Sequence, residues 1–410
     1  MATLSSHEQR EAAGVPEAML EPRLTRDAPG SRKEPVRLLY IVDQLTEMGG
    51  AERLLVKMIR SLPKERFRCS VVTFQIDRGL PLFSSMPCDV RVLPLRKSYN
   101  AQALRLSLEL RRFIRSEGVS IVHTFFETAD LWGGLVARLS RVPIVLSSRR
   151  DMGILRRPKH ALAYRFVNPL FTRVLAVSEE VRRCCIEVDH LRPERVETVY
   201  NGVELLSSPL ESRDACRERL GLPDFKEIVL TIGNIRRVKG IDIFLRAAAN
   251  VCKSHPSALF VIVGDNHDPV HFSELNQLIG GLGISRNVLF YGPYEDVGRF
   301  LAACDIFCLP SRSEGFSNAL IEAMGAGVPC VATRVGGNVE AIEHNRSGIL
   351  VPGEDATALS SAIEELLDDP TRARVLGREA RETVHARFSH EAMMMHLTNI
   401  YERLFLATGR

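Results

Sequence analysis

A chain of 410 residues is too long for one ordinary core, and its length alone suggests two domains. Hydrophobic residues at 45% and charged residues at 25% exclude disorder as the main state, and the apolar runs fall far short of the roughly 20 residues that a membrane-spanning helix needs. The formal charge of +4 is unevenly spread: residues 36–205 hold 28 Lys+Arg against 18 Asp+Glu, while residues 206–410 hold 21 against 26, so the two halves are expected to face different partners.

Residues 1–35 are polar, contain Pro16, Pro22, Pro29 and Pro35, and lack the apolar stretch of a secretory signal, which predicts a disordered tail. After it, "VRLLYIV" reads as a buried strand, Met48-Gly49-Gly50 as a tight turn, and Ala51 to Leu62 as a helix closed by Pro63. The runs "CSVVTF", "VSIVHTF", "VPIVLSS", "RVLAVS" and "VETVYN" then alternate with helical stretches, the pattern of parallel βα units. It weakens over "YNGVELLSSPLES" and restarts with "EIVLTIGN", "ALFVIVG", "NVLFYG", "DIFCLPS" and "PCVATRV". The economical fold is α/β, with two doubly wound, Rossmann-like parallel-sheet domains over 36–205 and 206–387. In the remaining 388–410, Met393, Leu397, Ile400, Tyr401, Leu404 and Phe405 form a helical stripe that must pack against something. The nine cysteines show no metal-ligand spacing and read as reduced thiols of a cytoplasmic protein.

Ligands of open α/β sheets bind beyond the carboxyl ends of the strands, so the loops leaving those ends hold the candidates. In "TIGNIRRVKGIDIF", a strand ends at Gly233, and Arg236, Arg237 and Lys239 precede Gly240 and a helix start. Cations beside helix-terminal amides suit an anion, most naturally a pyrophosphate, and the bland reading is a solvated basic turn. In "SRSEGFSNALIEAMGAGVPCVA", Ser317 is an N-cap candidate for a helix from Asn318. Glu314 then lies in the loop and Glu322 on the helix, facing one crevice. Carboxylates are seldom buried without a donor, and vicinal hydroxyls of a sugar or ribose are such donors; capping or an ion pair is the alternative. The Gly49-Gly50 pair permits close approach of backbone to a ligand or simply makes a turn. His123 ends a strand in "SIVHTFFETAD" and, alone, reads as structural.

The series "GGAER", "IVHT", "SSRRDMG", "YNGV", "GNIRRVKG" and "SEGFSNALIEAMGAGVPCVAT", in this order, resembles the retaining glycosyltransferases of the large group-1 family with the GT-B fold, with Glu-x7-Glu and the downstream "VGGNVEAI" as its most specific part. It is most similar to bacterial members with an Arg-Arg-Asp-Met/Leu-Gly signature. The resemblance implies a UDP- or GDP-sugar donor in the second domain, an acceptor in the first, and a C-terminal helix crossing back to the first. It places Lys239 on the diphosphate with Arg236 or Arg237 assisting, Glu322 on the ribose, and Glu314 beside the donor sugar. It further places the amides of Gly315, Phe316, Ser317 and Asn318 near sugar or phosphate, Gly50 near the diphosphate, and His123 near the donor sugar. Many members carry Arg where this chain has Asn234.

The implied reaction is transfer of a sugar from the NDP-sugar to an acceptor hydroxyl, a sugar or lipid-linked sugar, in polysaccharide or glycolipid assembly. No cofactor or metal is implied, since cations neutralise the phosphates and no Asp-x-Asp triplet occurs. The competing readings are a nucleotide-sugar epimerase, a phosphorylase, or a non-catalytic sugar-nucleotide-binding subunit. Around "MGILRRPKHALAYRF", the cations Arg149, Arg150, Arg156, Arg157, Lys159, Arg165 and Arg173 interleave with Met152, Ile154, Leu155, Leu162 and Phe166. This suggests peripheral docking on an anionic membrane face; alternatively, Arg149 and Arg150 line an acceptor pocket. No nucleic-acid module accompanies the charge.

Overall fold

The computed structural model describes residues 34–46, 49–84, 86–153, 158–204, 211–223, 225–294 and 296–409. The expected tail, save Glu34 and Pro35, lies outside them, as do Met48, Ile154 to Arg157 of the basic segment, and residues 205–210 of the link.

Among the described residues, thirteen strands form two all-parallel sheets. The first is built from β1 (Val36–Leu45), helix α1 (Gly50–Ser61), β2 (Phe67–Ile76), β3 (Asp89–Val92), β4 (Ile121–Phe125), β5 (Ile144–Arg149), β6 (Arg173–Ala176), helix α2 (Glu179–Glu187) and β7 (Val196–Thr198), in the strand order β3-β2-β1-β4-β5-β6-β7. The second contains β8 (Glu227–Ile232), helix α3 (Ile241–Ser254), β9 (Ala258–Val263), β10 (Val288–Gly292), β11 (Ile306–Leu309), helix α4 (Asn318–Gly325), β12 (Cys330–Thr333) and β13 (Ile349–Val351), in the order β10-β9-β8-β11-β12-β13. β5 and β9 are buried at every position. Helices cover both faces of such strands, which is why they read as unbroken apolar runs rather than alternating ones.

Both sheets reverse direction at one point, between β1 and β4 in the first and between β8 and β11 in the second. Loops leaving adjacent strands diverge there and open a crevice. Those loops are the ones that carry Gly49-Gly50, the turn after His123, the Gly233–Gly240 segment and the Glu314 segment.

Helix α5 (His390–Leu406) returns to the first sheet. Its Met393, Met394, Leu397, Ile400, Tyr401 and Leu404 are buried in one cluster with Leu38, Tyr40, Leu54 and Met58. Arg403 and His396 both reach Glu197 in β7, at 2.6 and 3.2 Å, and Ser61 Oγ meets His390 Nε2 at 2.7 Å. All nine cysteines are free thiols. Among the described residues no helix is long and apolar enough to cross a membrane.

The packing of α5 predicts its energetics. Leu397 is 2% exposed, so Leu397→Ala should cost about 2–5 kcal/mol through lost burial and a residual cavity. Met395, 67% exposed on the same helix, should change stability by no more than about 0.5 kcal/mol on replacement by alanine. Urea unfolding of the two variants measures the contrast.

Candidate active site

The second sheet's crevice is assembled by close backbone approach. Gly240 ends the loop after β8 with φ 65°, and a Cβ there would lie 2.0 Å from Pro310 O. Only glycine therefore lets this loop press on the loop after β11. On the other side of the β11 loop, Gly336 has φ 47°, and its Cβ would meet Glu314 O at 1.7 Å.

Held between them, Glu314 is 9% exposed. Its Oε1 accepts from Lys239 Nζ at 2.7 Å and from Ser311 Oγ at 2.6 Å. The donor that a buried carboxylate requires thus comes from the protein itself. An ammonium has three donors, and among the described residues Lys239 spends one on Glu314. Arg312 braces the same two loops, donating to Arg237 O at 2.6 Å and to Asp242 at 2.8 Å.

The other two basic residues of the β8 loop lie differently. Arg237 points to solvent and gives Nη2 to both oxygens of Glu274, at 2.8 and 2.7 Å. Arg236 is exposed. Gly233 packs under the stem of Lys239, and Asn234 Oδ1 accepts weakly from Asp265 N at 3.4 Å.

Helix α4 begins at the same place. Ser317 caps it, its side chain accepting from Leu320 N, and the partial positive charge of its first turn faces the Glu314 loop. One turn in, Glu322 lines a cavity of about 480 Å³ with Gly50, Arg53, Lys57, Val297 and Asn318. Burial raises the Glu322 carboxyl above the usual range, and Lys57 and Arg53 act against that rise.

Three neutral hydrogen bonds then cross from one sheet's loops to the other's. Asn318 Nδ2 donates to Gly50 O at 2.9 Å. Asn201 Nδ2 donates to Asn318 Oδ1 at 2.6 Å and to Phe316 O at 3.3 Å. Within the first half, Asn201 is itself held by Arg150, whose Nη2 donates to Asn201 Oδ1 at 2.9 Å. Gly315 lies against Arg150 O so closely that a Cβ would stand 2.2 Å away.

His123 sits one layer below this surface. It is fully buried, its Nδ1 pairs with Tyr401 Oη at 2.7 Å and its Nε2 with Ser148 Oγ at 2.9 Å. Burial, helped by the charge of Arg150, pushes its pKa down to about 3. It is a neutral imidazole with both nitrogens occupied. Ser148 is the group that reaches open space, lining a cavity of about 230 Å³ with Phe126, Glu127, Arg150 and Tyr164.

The basic segment needs a correction. Arg149 is 5% exposed, donating to Asn168 Oδ1 at 2.8 Å and to Ser147 Oγ at 3.0 Å, with Asp130 and Asp189 at 3.5 and 3.7 Å. Its guanidinium lies 4.0 Å over the Tyr164 ring. Arg150 is turned inward to Asn201. Neither is a surface cation, whereas Leu162 and Phe166 are exposed, at 56% and 73%.

The structure therefore joins Lys239 to Glu314 where the β8 and β11 loops meet, lines one neighbouring cavity with Gly50, Asn318 and Glu322, and leaves Arg237 pointing to solvent and His123 buried. Ser311, Ser148 and Asn201 were not singled out by the sequence. The motif "YNGV" held the signal for Asn201, but nothing local marks its partners.

The family described as Glycosyl transferases group 1 matches residues 212–383, and that described as Glycosyltransferase Family 4 matches residues 48–205. The chain is 32% identical over 206 residues to the N-acetyl-alpha-D-glucosaminyl L-malate synthase of Bacillus anthracis, covering 50% of this chain and 53% of that one. It thus spans about half the length of that relative. It is 24% identical over 339 residues to the UDP-Gal:alpha-D-GlcNAc-diphosphoundecaprenol alpha-1,3-galactosyltransferase of Escherichia coli, covering 78% and 86%. Anabaena HepE in complex with UDP-glucose superposes with a TM-score of 0.78 at 22% identity, over 89% of this chain and 99% of that one. The shared fold is GT-B.

The buried imidazole makes stability depend on pH. His123 stays neutral in the fold down to about pH 3, while the unfolded chain protonates it near 6.5. Its contribution is complete above pH 6.5 and is lost as pH falls, by about 2 kcal/mol between pH 6.5 and 5. Urea unfolding at pH 7.5 and 5.0 should show a smaller difference for His123→Asn than for the wild type. Equal differences would refute the neutral, buried state.

Proposed function

The chain belongs to the group 1 glycosyltransferases, and from that premise we propose that it moves a sugar from a nucleoside-diphosphate sugar to an acceptor hydroxyl with retention of anomeric configuration. The observation that carries this reading is the Lys239–Glu314 pair at 2.7 Å, set beside the amino end of α4 and the cavity that holds Glu322.

In this reading Lys239, with Arg236 beside it and the amides of Gly315 to Asn318, receives the diphosphate. Preorganised cations and amides stabilise the charge that develops there as the bond from the anomeric carbon to the phosphate oxygen breaks. These groups serve in place of a metal. The acceptor oxygen bonds to the same face of that carbon, and the departing phosphate takes its proton. Glu314, fixed by Lys239 and Ser311, accepts from hydroxyls of the donor sugar. Glu322 accepts from the ribose, and its cavity of about 480 Å³ has the size class of a small-molecule site. His123 holds the Ser148 hydroxyl toward the first-sheet cavity and is a positioning residue.

The complex of Anabaena HepE with UDP-glucose supports a UDP-sugar as the donor. The diphosphoundecaprenol in the name of the Escherichia coli relative supports a lipid-linked acceptor in glycolipid or polysaccharide assembly. Exposed Leu162 and Phe166 beside exposed Arg165 support peripheral contact with the inner face of the cytoplasmic membrane.

A screen of UDP- and GDP-sugars for hydrolysis and transfer identifies the donor, and an inverted product would overturn the reading. Lys239→Ala should lower kcat by about 10²–10³-fold and weaken NDP binding with it, because diphosphate charge is present in ground and transition states alike. Glu322→Ala should chiefly raise the donor KM. Normal turnover in the lysine variant, or unchanged donor affinity with early melting in the glutamate variant, would assign those residues to structure alone.

A further inference from the structure

Glu340 belongs to the second half of the chain and spends its carboxylate on the first. Its Oε2 accepts from Glu179 N and its Oε1 from Glu180 N, each at 2.8 Å. These are the leading amides of α2, which have no partner within their own helix. The same Oε2 accepts from Tyr200 Oη at 2.8 Å. The carboxylates of Glu179 and Glu180 turn away, to Arg182 at 3.4 Å and Arg183 at 2.8 Å, so Glu340 meets only their backbones. An anion on two consecutive amides at a helix start is a charge-assisted, two-point contact.

What this contact holds is the back of the site. Three residues before Glu340, Gly337 presses so hard on the Glu314 loop that a Cβ would stand 2.3 Å from Gly315 O. Gly336 abuts Glu314 O itself. The ring of Tyr200 lies 5.1 Å from that of Phe316, and its neighbour Asn201 donates to Phe316 O and Asn318 Oδ1. Glu340 therefore grips the first half of the chain at one end and buttresses the Glu314–Asn318 loop at the other.

We propose that Glu340 is a positioning residue: it latches the cleft shut through α2 and Tyr200, and thereby sets the Glu314–Asn318 loop for sugar transfer. This rests on the transferase reading above. The nucleotide contacts named there lie mostly in the second half of the chain, so losing the latch should disturb the chemical step and leave nucleotide binding largely intact.

The test uses the full chain and the variants Glu340→Ala, Glu340→Gln and Tyr200→Phe. Hydrogen exchange read by mass spectrometry gives an arm independent of turnover. In Glu340→Ala, amides 179–180 should exchange about tenfold faster or more, and the 311–318 segment should quicken with them. With the donor found by the screen, kcat should fall about tenfold or more, while the dissociation constant of the corresponding NDP stays within about threefold. Glu340→Gln keeps one carbonyl oxygen and should fall between. Tyr200→Phe should be non-additive with Glu340→Gln, since the two groups touch. Unchanged exchange at 179–180 overturns the latch. Faster exchange there with a normal 311–318 segment, or with wild-type kcat, overturns the positioning role, as does a loss of NDP affinity equal to the loss of kcat. A wild-type chain that turns over no donor sinks the transferase reading, and the two exchange segments then decide the latch by themselves.

Discussion

A carboxylate taken nearly out of water must be given a counter-charge, and the second sheet's crevice is built around doing so for Glu314. Lys239 and Ser311 converge on one of its oxygens, which requires the β8 and β11 loops to touch. They touch because Gly240 has no side chain to set against Pro310. Lys239 keeps 27% of its side chain in solvent, so the pair is only partly desolvated. That condition leaves the ammonium able to meet a second anion.

The contacts that join the two sheets are of another kind. Side-chain amides make those at the cleft, Asn201 with Asn318 and Phe316 and Asn318 with Gly50, and the Glu340 carboxylate beside them meets only neutral donors, two amides of α2 and the Tyr200 hydroxyl. Neutral hydrogen bonds are directional but individually modest, about 1 kcal/mol net, and their loss leaves no stranded charge. A cleft closed by such bonds can open without the penalty of separating buried ions. The buried ion pairs described above, Arg149 with Asp130 and Asp189 in the first half and Lys239 with Glu314 in the second, each lie within one half, where nothing needs to part.

Much of this architecture was legible in the sequence, because strands buried on both faces must be apolar throughout and show as runs such as "ALFVIVG". The rule that open α/β sheets bind ligands beyond the carboxyl ends of their strands made the loops after β1, β4, β8 and β11 the places to look, and the glutamate pair marked one of them. Partners distant along the chain were not legible. Asn201 meets Asn318 across 117 positions and Glu340 meets Glu180 across 160, and no local pattern encodes such pairings. The same blindness affected charge. "SSRRDMG" displays two arginines but not the Asp130 and Asp189 that draw Arg149 inward, so a buried ion cluster read as surface. His123 was legible as the end of a strand, but its burial is fixed by Tyr401, 278 residues away.

The chain passes between its halves twice, and the two passages lie side by side. Val203 on the outward passage bridges Ser389 on the return, with Val203 N on Phe388 O at 3.0 Å and His390 N on Val203 O at 2.9 Å. Gly202 allows this closeness, since a Cβ there would stand 2.5 Å from Ser389 O. A single strap would let one half swivel freely about it. A paired strap resists torsion and leaves flexion about one axis as the soft motion. Each opening then returns the two crevices along the same arc, so the effective concentration of one loop set at the other stays high and little orientational entropy is spent on each closure.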